Sequence, residues 1–167
     1  MTGDSAILAP ALQDRSTWRT NDHCPVVKAM EVVGTRSAII IIREALYGTT
    51  RFDDFAERVG ITEAVAATRL RELTELGVLK RHPYRDPGQR TRHEYRLTPM
   101  GRDLAPVVLG LYQWGARYLS PDGPPLAFRH HECGEPVSVA MGCAAGHDLD
   151  ITEVEVAPHA RRTTSRS

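Results

Sequence analysis

The chain has 167 residues, 41% of them hydrophobic and 25% charged, enough for one compact domain with modest extensions. Its longest apolar run, Ala38 to Ile42, is far short of the ~20 residues that a membrane span requires, and Met1 to Ala11 lacks the basic start and apolar stretch of a secretion signal. Three cysteines, Cys24, Cys133 and Cys143, do not make a disulfide framework and fit a reducing cytoplasm, so a cytoplasmic protein without a membrane partner is expected.

The formal net charge is zero, but the charge is unevenly spread. Residues 80–102 hold seven Lys or Arg (Lys80, Arg81, Arg85, Arg90, Arg92, Arg96, Arg102) against Asp86 and Glu94, a net +5. Residues 1–79 sum to −2 and residues 120–167 to −3, so a basic island sits inside a mildly acidic chain. Such an island is either a solvated surface or a footprint for an anionic partner.

Residues 1–23 are polar and without sustained periodicity, and read as an arm. Cys24-Pro25 then opens a short helix over Val26–Val33, with Pro25 suited to a first helical position and Gly34 ending it. Ile39 to Ile42 has strand propensity, yet the continuation through Arg43, Glu44, Ala45 and Leu46 favours a helix over Ser37–Tyr47 with Ile39, Ile42 and Leu46 on one face. Thr50-Arg51-Phe52-Asp53 resembles a capping box, followed by Phe52, Phe55, Ala56 and Val59 at helical spacing, and Gly60 closes that helix. Thr62 caps a second helix, Glu63–Leu76, whose inward face is Ala66, Leu70, Leu73 and Gly77. Helix, a short Gly-containing turn and helix is helix-turn-helix spacing.

The outward face of the second helix carries Ala64, Ala67, Thr68 and Arg71, with Thr62 and Glu63 at its start. Small residues let the backbone approach base edges, while Thr68 and Arg71 offer a hydroxyl and a forked donor for bases or phosphate. The alternative is an ordinary exposed helix face. Leu79–Tyr84 and Arg92–Leu97 read as two strands, the second placing His93, Tyr95 and Leu97 against Arg92, Glu94 and Arg96. Asp86-Pro87-Gly88 supplies the turn between them. A hairpin bearing Arg85, Gln89, Arg90 and Arg92 directly after a helix-turn-helix is a wing, placed to touch phosphates or enter a minor groove. Thr98-Pro99 starts a last helix with an apolar stripe of Leu104, Val107, Val108, Leu111, Trp114 and Tyr118 running to Leu119, roughly 30 Å long, with Pro106 expected to kink it or shift its start. The stripe reads as a dimer seam; the alternative is a helix folded back on its own domain.

From Cys24 to Leu119 the chain resembles the HxlR family of winged-helix regulators, relatives of the MarR-like proteins. The resemblance is carried by Cys24-Pro25-Val26, Gly34-Thr35-Arg36, Arg51-Phe52-Asp53-Asp54-Phe55, Arg69-Leu70-Arg71-Glu72-Leu73 and Leu76-Gly77-Val78-Leu79. It continues through Arg81-His82-Pro83-Tyr84, Glu94-Tyr95-Arg96-Leu97-Thr98-Pro99-Met100-Gly101 and Trp114-Gly115. It implies a homodimer that binds double-stranded DNA at a palindromic operator and has no catalytic activity. It also makes Cys24, ahead of a helix start, a candidate redox or electrophile sensor, the alternative being an unreactive thiol. The chain departs from many relatives in carrying Ser37 where they carry Trp, a change that alters packing and opens space for a pocket.

The expected fold class is α+β, mainly α: a winged helix-turn-helix with a long C-terminal dimerisation helix and a small β-rich tail. The layout is an arm over 1–23, the DNA-binding and dimerisation domain over 24–119, a small β extension over 120–157, and a disordered tail over 158–167. Within the extension, 126–131 and 136–140 read as a hairpin and 150–156 as a further strand. His131, Cys133, Cys143 and His147 are residue types suited to tetrahedral zinc, but neither half is a C-x2-C knuckle; the extension reads as structural, with no metal and no cofactor. No nucleophile elbow, phosphate-cradling Gly loop or paired acids argue for an enzyme. The expected function is a sequence-specific transcriptional regulator, repressor rather than activator, responsive to an oxidant or a small-molecule effector. The alternative is a small-molecule or metal sensor with ligand-gated or vestigial DNA binding, its pocket drawn from the Ile39–Tyr47 helix, the space at Ser37 and the long helix.

Overall fold

The computed structural model describes residues 3–16, 18, 24–85, 88 and 91–159. In chain order the main elements are β1 (Ile7–Leu8), α1 (Pro25–Val33), α2 (Arg36–Leu46), α3 (Phe52–Val59), α4 (Glu63–Glu75), β2 (Leu79–Tyr84), β3 (Arg92–Leu97), α5 (Pro99–Arg102), α6 (Ala105–Leu119), β4 (Met141–Gly142), β5 (Asp148–Leu149) and β6 (Glu155–Val156). They fall into two compact units, Asn21–Val139 and Met1–Thr20 with Ala140–Ser167. Among the described residues no helix is long and apolar enough to cross a membrane.

The core of the larger unit gathers Ile41, Ile42, Phe55, Val59, Leu70, Leu73, Val78, Leu79 and Val108. The isoleucine run of α2 supplies its centre. That helix packs against α1, α3, α4, α6 and β3, so it is buried on more than one stripe. Ala38, Ile41 and Ile42 are inaccessible, whereas Ile39 and Leu46, expected to lead the inward face, are only half-buried. The buried carboxylate of Glu44 is satisfied locally, accepting from Arg43 Nη2 at 2.7 Å and from Thr49 Oγ1 at 3.4 Å.

The expected capping box at Thr50 does not form. The N-cap of α3 is Arg51, without a side-chain cap bond. Residues 50–51 are instead drawn into the sheet: the Tyr95 amide donates to the Thr50 carbonyl at 2.7 Å and Arg51 bridges to Glu94. Asp53 and Asp54 still lie in the first turn, where they meet the positive end of the helix dipole. At the other end, Gly60 adopts φ 69°, and its amide and that of Ile61 both donate to the Ala56 carbonyl, closing α3 within a turn. A side chain at Gly60 would be strained by that φ. Thr62 then caps α4 as expected, its Oγ1 accepting from the Val65 amide at 3.3 Å. Thr62→Ala is expected to lower stability by ~1 kcal/mol in chemical denaturation.

The last predicted helix is broken in two. Thr98 Oγ1 caps α5 by accepting from the Gly101 amide at 3.1 Å, and it donates to the Gly77 carbonyl, tying the cap to the end of α4. Pro106 lies in the first turn of α6, where its missing amide costs nothing, so the proline sets a new helix start and no kink. The 15 residues of α6 span about 22 Å, shorter than the expected single rod.

Beyond α6, residues 126–139 are fastened to that helix. Tyr112 Oη donates to the Leu126 carbonyl at 2.7 Å and accepts from its amide at 3.0 Å. Gln113 uses both ends of its amide, on the Val137 carbonyl and the Val139 amide, each at 2.9 Å. The expected hairpin forms only near its turn, where Arg129 bridges to Pro136, the Val137 amide donates to the Phe128 carbonyl at 2.9 Å and the His130 amide to the Glu135 carbonyl at 2.8 Å. In the smaller unit β1 pairs in parallel with β6, and β4 pairs antiparallel with β5. The strand expected over 150–156 is interrupted by a 3-10 turn, Ile151–Glu153, where Asp150 and Glu153 form a capping box, and only Glu155–Val156 pairs as a strand.

Candidate nucleic-acid interface

Burial of Ala66, Leu70 and Leu73 fixes the roll of α4 about its axis. Glu63, Ala64, Ala67 and Arg71 consequently stand exposed with the cap residue Thr62, while Thr68 is half-buried at the edge of the same face. Val65, 41% exposed, joins this surface although the sequence did not single it out. Arg71 Nε lies 4.0 Å from Glu75 Oε1, and both side chains are about two-thirds exposed. Such a pair is weak and exchanges readily for a better acceptor.

The chain next forms the hairpin of β2 and β3, registered from Leu79 opposite Leu97 to Tyr84 opposite Arg92. Its base is anchored to the helices: the Tyr95 ring meets Phe55 edge-on at 6.4 Å, and Leu79 is buried. His93, expected to face inward with Tyr95, is exposed, because the hairpin outruns the core at that point. Arg85 is exposed just past β2, and Arg92 opens β3 with Nη1 3.8 Å from Asp53 Oδ2. Gln89 and Arg90 lie outside the described residues. Arg51 and Arg81 are not among the predicted contacts, yet they line one notch with Arg92 beside the turn-side half of the hairpin. Only the pairing of residues 50–51 with β3 brings Arg51 there, and no local signal announces it.

A helix-turn-helix followed by an arginine-bearing hairpin is the arrangement against which known proteins can be compared. The model of the HxlR-like helix-turn-helix family matches residues 32–123. The chain belongs to this family. An HTH-type transcriptional regulator of Mycobacterium tuberculosis is 42% identical over 135 residues, covering 80% of this chain and 84% of its own. The crystal structure of PA1607, described as a transcription factor, is similar with a TM-score of 0.73 and 32% identity, over 82% of this chain and 96% of that one. The redox regulator HypR in its reduced form is similar with a TM-score of 0.50 and 32% identity, over 55% of this chain and 90% of its own. The HxlR-like chain is thus a transcriptional regulator with a helix-turn-helix domain.

In this HxlR-like chain Cys24 is half-buried at the N-cap of α1, immediately before the helix dipole's positive end. Ser37 is met by Arg69, whose Nε donates to its Oγ at 3.2 Å while Nη1 pairs with Glu72 at 2.6 Å. Beside this pair is an open cleft of about 440 Å³ between α1, α2 and α4, with Val32, Ala38, Leu73 and Leu76 in its wall. Among the described residues no three His, Cys, Asp or Glu side chains are gathered to hold a metal ion. The imidazole that reaches Cys133 is that of His130, at 3.0 Å, and not His131. In the smaller unit His147 Nδ1 lies 3.5 Å from Cys143 Sγ. Backbone amides of His147 and Ala145 directed at that sulfur hold the Cys143 thiol below its ordinary pKa.

Proposed function

We propose that the HxlR-like chain is a cytoplasmic, sequence-specific repressor that binds a near-palindromic duplex as a homodimer, with α4 in the major groove and the hairpin along the flanking backbone. The observation that carries this reading is the exposed face of α4, where the small side chains of Ala64 and Ala67 lead up to Arg71 and let the backbone approach base edges. Thr62, Glu63, Ala64, Ala67, Thr68 and Arg71 would supply the reading face, and Arg85, Gln89, Arg90 and Arg92 the wing. Dimerisation is supported by α6, which buries only Val108 and leaves Val107, Leu111, Trp114 and Tyr118 exposed on one stripe.

A gel-shift or footprinting assay on the upstream region of the chain's own gene tests this reading. Binding that weakens as salt rises is expected, and no salt-sensitive binding to any genomic fragment would overturn it. Arg71→Ala is expected to cost ~1–3 kcal/mol on the preferred site and to relax preference at the base it contacts.

A second reading adds a signal to the same protein. The cleft beside Ser37 touches α4, and Cys24 stands at a helix start in a chain similar to HypR, which is a redox regulator. Either feature would let a small molecule or an oxidant gate DNA binding. Thermal-shift screening, with and without DNA, separates a gated regulator from a constitutive one.

A further inference from the structure

The cleft between α1, α2 and α4 has two kinds of wall. One is apolar, formed by Val32, Ala38, Leu73 and Leu76, and Leu76 is 48% exposed at the end of α4. The other is acidic, with Glu31 coming from α1 and Glu72 and Glu75 from α4. Among the described residues lining the cleft, Arg69 is the one basic group, and it is already engaged. Its Nε donates to Ser37 Oγ at 3.2 Å and its Nη1 pairs with Glu72 at 2.6 Å. Among the described residues Glu75 has only the long, exposed contact with Arg71 at 4.0 Å, and Glu31 forms no ion pair.

The volume of about 440 Å³ falls within the range of small-molecule sites, roughly 300–1,000 Å³. An occupant has to satisfy both walls at once. An apolar body takes Val32, Leu73 and Leu76 out of water. A positive head offsets two carboxylates that the chain leaves without a close cation, beside apolar side chains that strengthen the attraction. Two further features narrow the head group. Among the described residues no three acidic side chains converge to hold a metal ion, so the charge belongs on an organic group that reaches acids spread along a wall. The lining residues described include no aromatic ring, the usual cage of a quaternary ammonium, whereas carboxylates accept from N–H donors.

We propose that this cleft binds a hydrophobic organic cation, an amine or amidine whose N–H groups donate to Glu31 and Glu75 while its apolar body lies on Val32, Leu73 and Leu76. The proposal rests on the second reading above, in which a small molecule in this cleft gates the regulator. It adds the chemistry of that molecule and the route of its signal. Glu75 belongs to two surfaces, lining the cleft and contacting Arg71 of the reading face. A cation that engages Glu75 releases Arg71 and neutralises negative charge on the helix that enters the groove, so the bound cation favours DNA binding.

The test titrates octylamine into the full chain by isothermal titration calorimetry, without DNA, alongside octanol, octanoate and octyltrimethylammonium. Octylamine is expected to bind with an affinity that falls as salt rises, and the other three about tenfold or more weakly. Glu31→Gln/Glu75→Gln, at two exposed positions, should weaken octylamine about tenfold or more without changing the melting temperature. Leu76→Lys, which places a cation of the chain's own in the cleft, should abolish binding. Octanol or octyltrimethylammonium binding as tightly as octylamine, or an unchanged octylamine affinity in either variant, overturns the proposal. A second titration follows a duplex from upstream of the chain's own gene by fluorescence anisotropy. Saturating octylamine should tighten wild-type binding several-fold, and the double variant should already bind more tightly and respond no further. Unchanged or weaker duplex binding with octylamine bound overturns the route through Glu75. Octylamine binding by a chain that binds no duplex overturns the DNA reading and leaves the cleft standing.

Discussion

Leu111→Glu/Trp114→Glu on α6 is expected to turn the proposed dimer into a monomer and to weaken operator binding by ~100-fold or more. Leu111 and Trp114 are 55% and 57% exposed in the isolated chain, so glutamate at either position meets water and does not disturb the core. Positions 107, 111, 114 and 118 follow i, i+4, i+7, i+11 and form one narrow stripe, while Leu104 and Val108 turn to the chain's own core. Exposed Val26 and Met30 add an uncovered apolar surface on α1. Two carboxylates on each facing stripe would be desolvated and brought against their like on pairing. Once the protomers part, the second half-site no longer benefits from the high effective concentration set by the first. Sedimentation of wild type and variant, with circular dichroism as the folding control, reads the outcome. A variant that still sediments as a dimer places the seam elsewhere; a monomeric wild type removes the two-fold arrangement altogether.

Phe55→Ala should cost ~3–5 kcal/mol of stability, the usual range for emptying a buried aromatic site. Phe55 is fully inaccessible, lies in the central cluster with Ile41, Ile42 and Leu70, and meets the Tyr95 ring edge-on. The side chain therefore joins α3 to the hairpin as well as to the other helices. Against a total stability of about 5–15 kcal/mol for a typical domain, the loss leaves little reserve, and the wing should loosen together with the helix-turn-helix. Urea denaturation followed by far-ultraviolet circular dichroism measures the change. A loss below about 1 kcal/mol would mean that the core around Phe55 collapses to fill the space, against the packing described here.

These two expectations draw on different kinds of information. Phe55 was legible as an inward residue from its spacing with Phe52, Ala56 and Val59, and the reading face of α4 followed from Ala66, Leu70 and Leu73 in the same way. The division of the α6 stripe was not legible. Val107 and Val108 are equally apolar, and whether either is covered depends on where α2 lies. Local chemistry also misled at Thr50. Its hydroxyl was suitably placed for a cap, but the backbone at residues 50–51 gains sheet bonds to β3, some forty residues downstream.

By itself the sequence determined the helix starts at Thr62 and Thr98, the left-handed stop at Gly60, the limits of both hairpin strands and the order of helix, turn, helix and wing. Each of these depends on a side chain or backbone bond reaching no more than about five residues, or on a simple alternation of apolar and polar positions, so neighbours suffice to decide it. The tertiary structure alone decided that Arg51 joins Arg81 and Arg92, that Arg69 reaches Ser37, and that Ile7–Leu8 pairs with Glu155–Val156. Those contacts join residues from about thirty to almost 150 positions apart. Their partners are chosen by the packing of whole elements, which no local preference encodes.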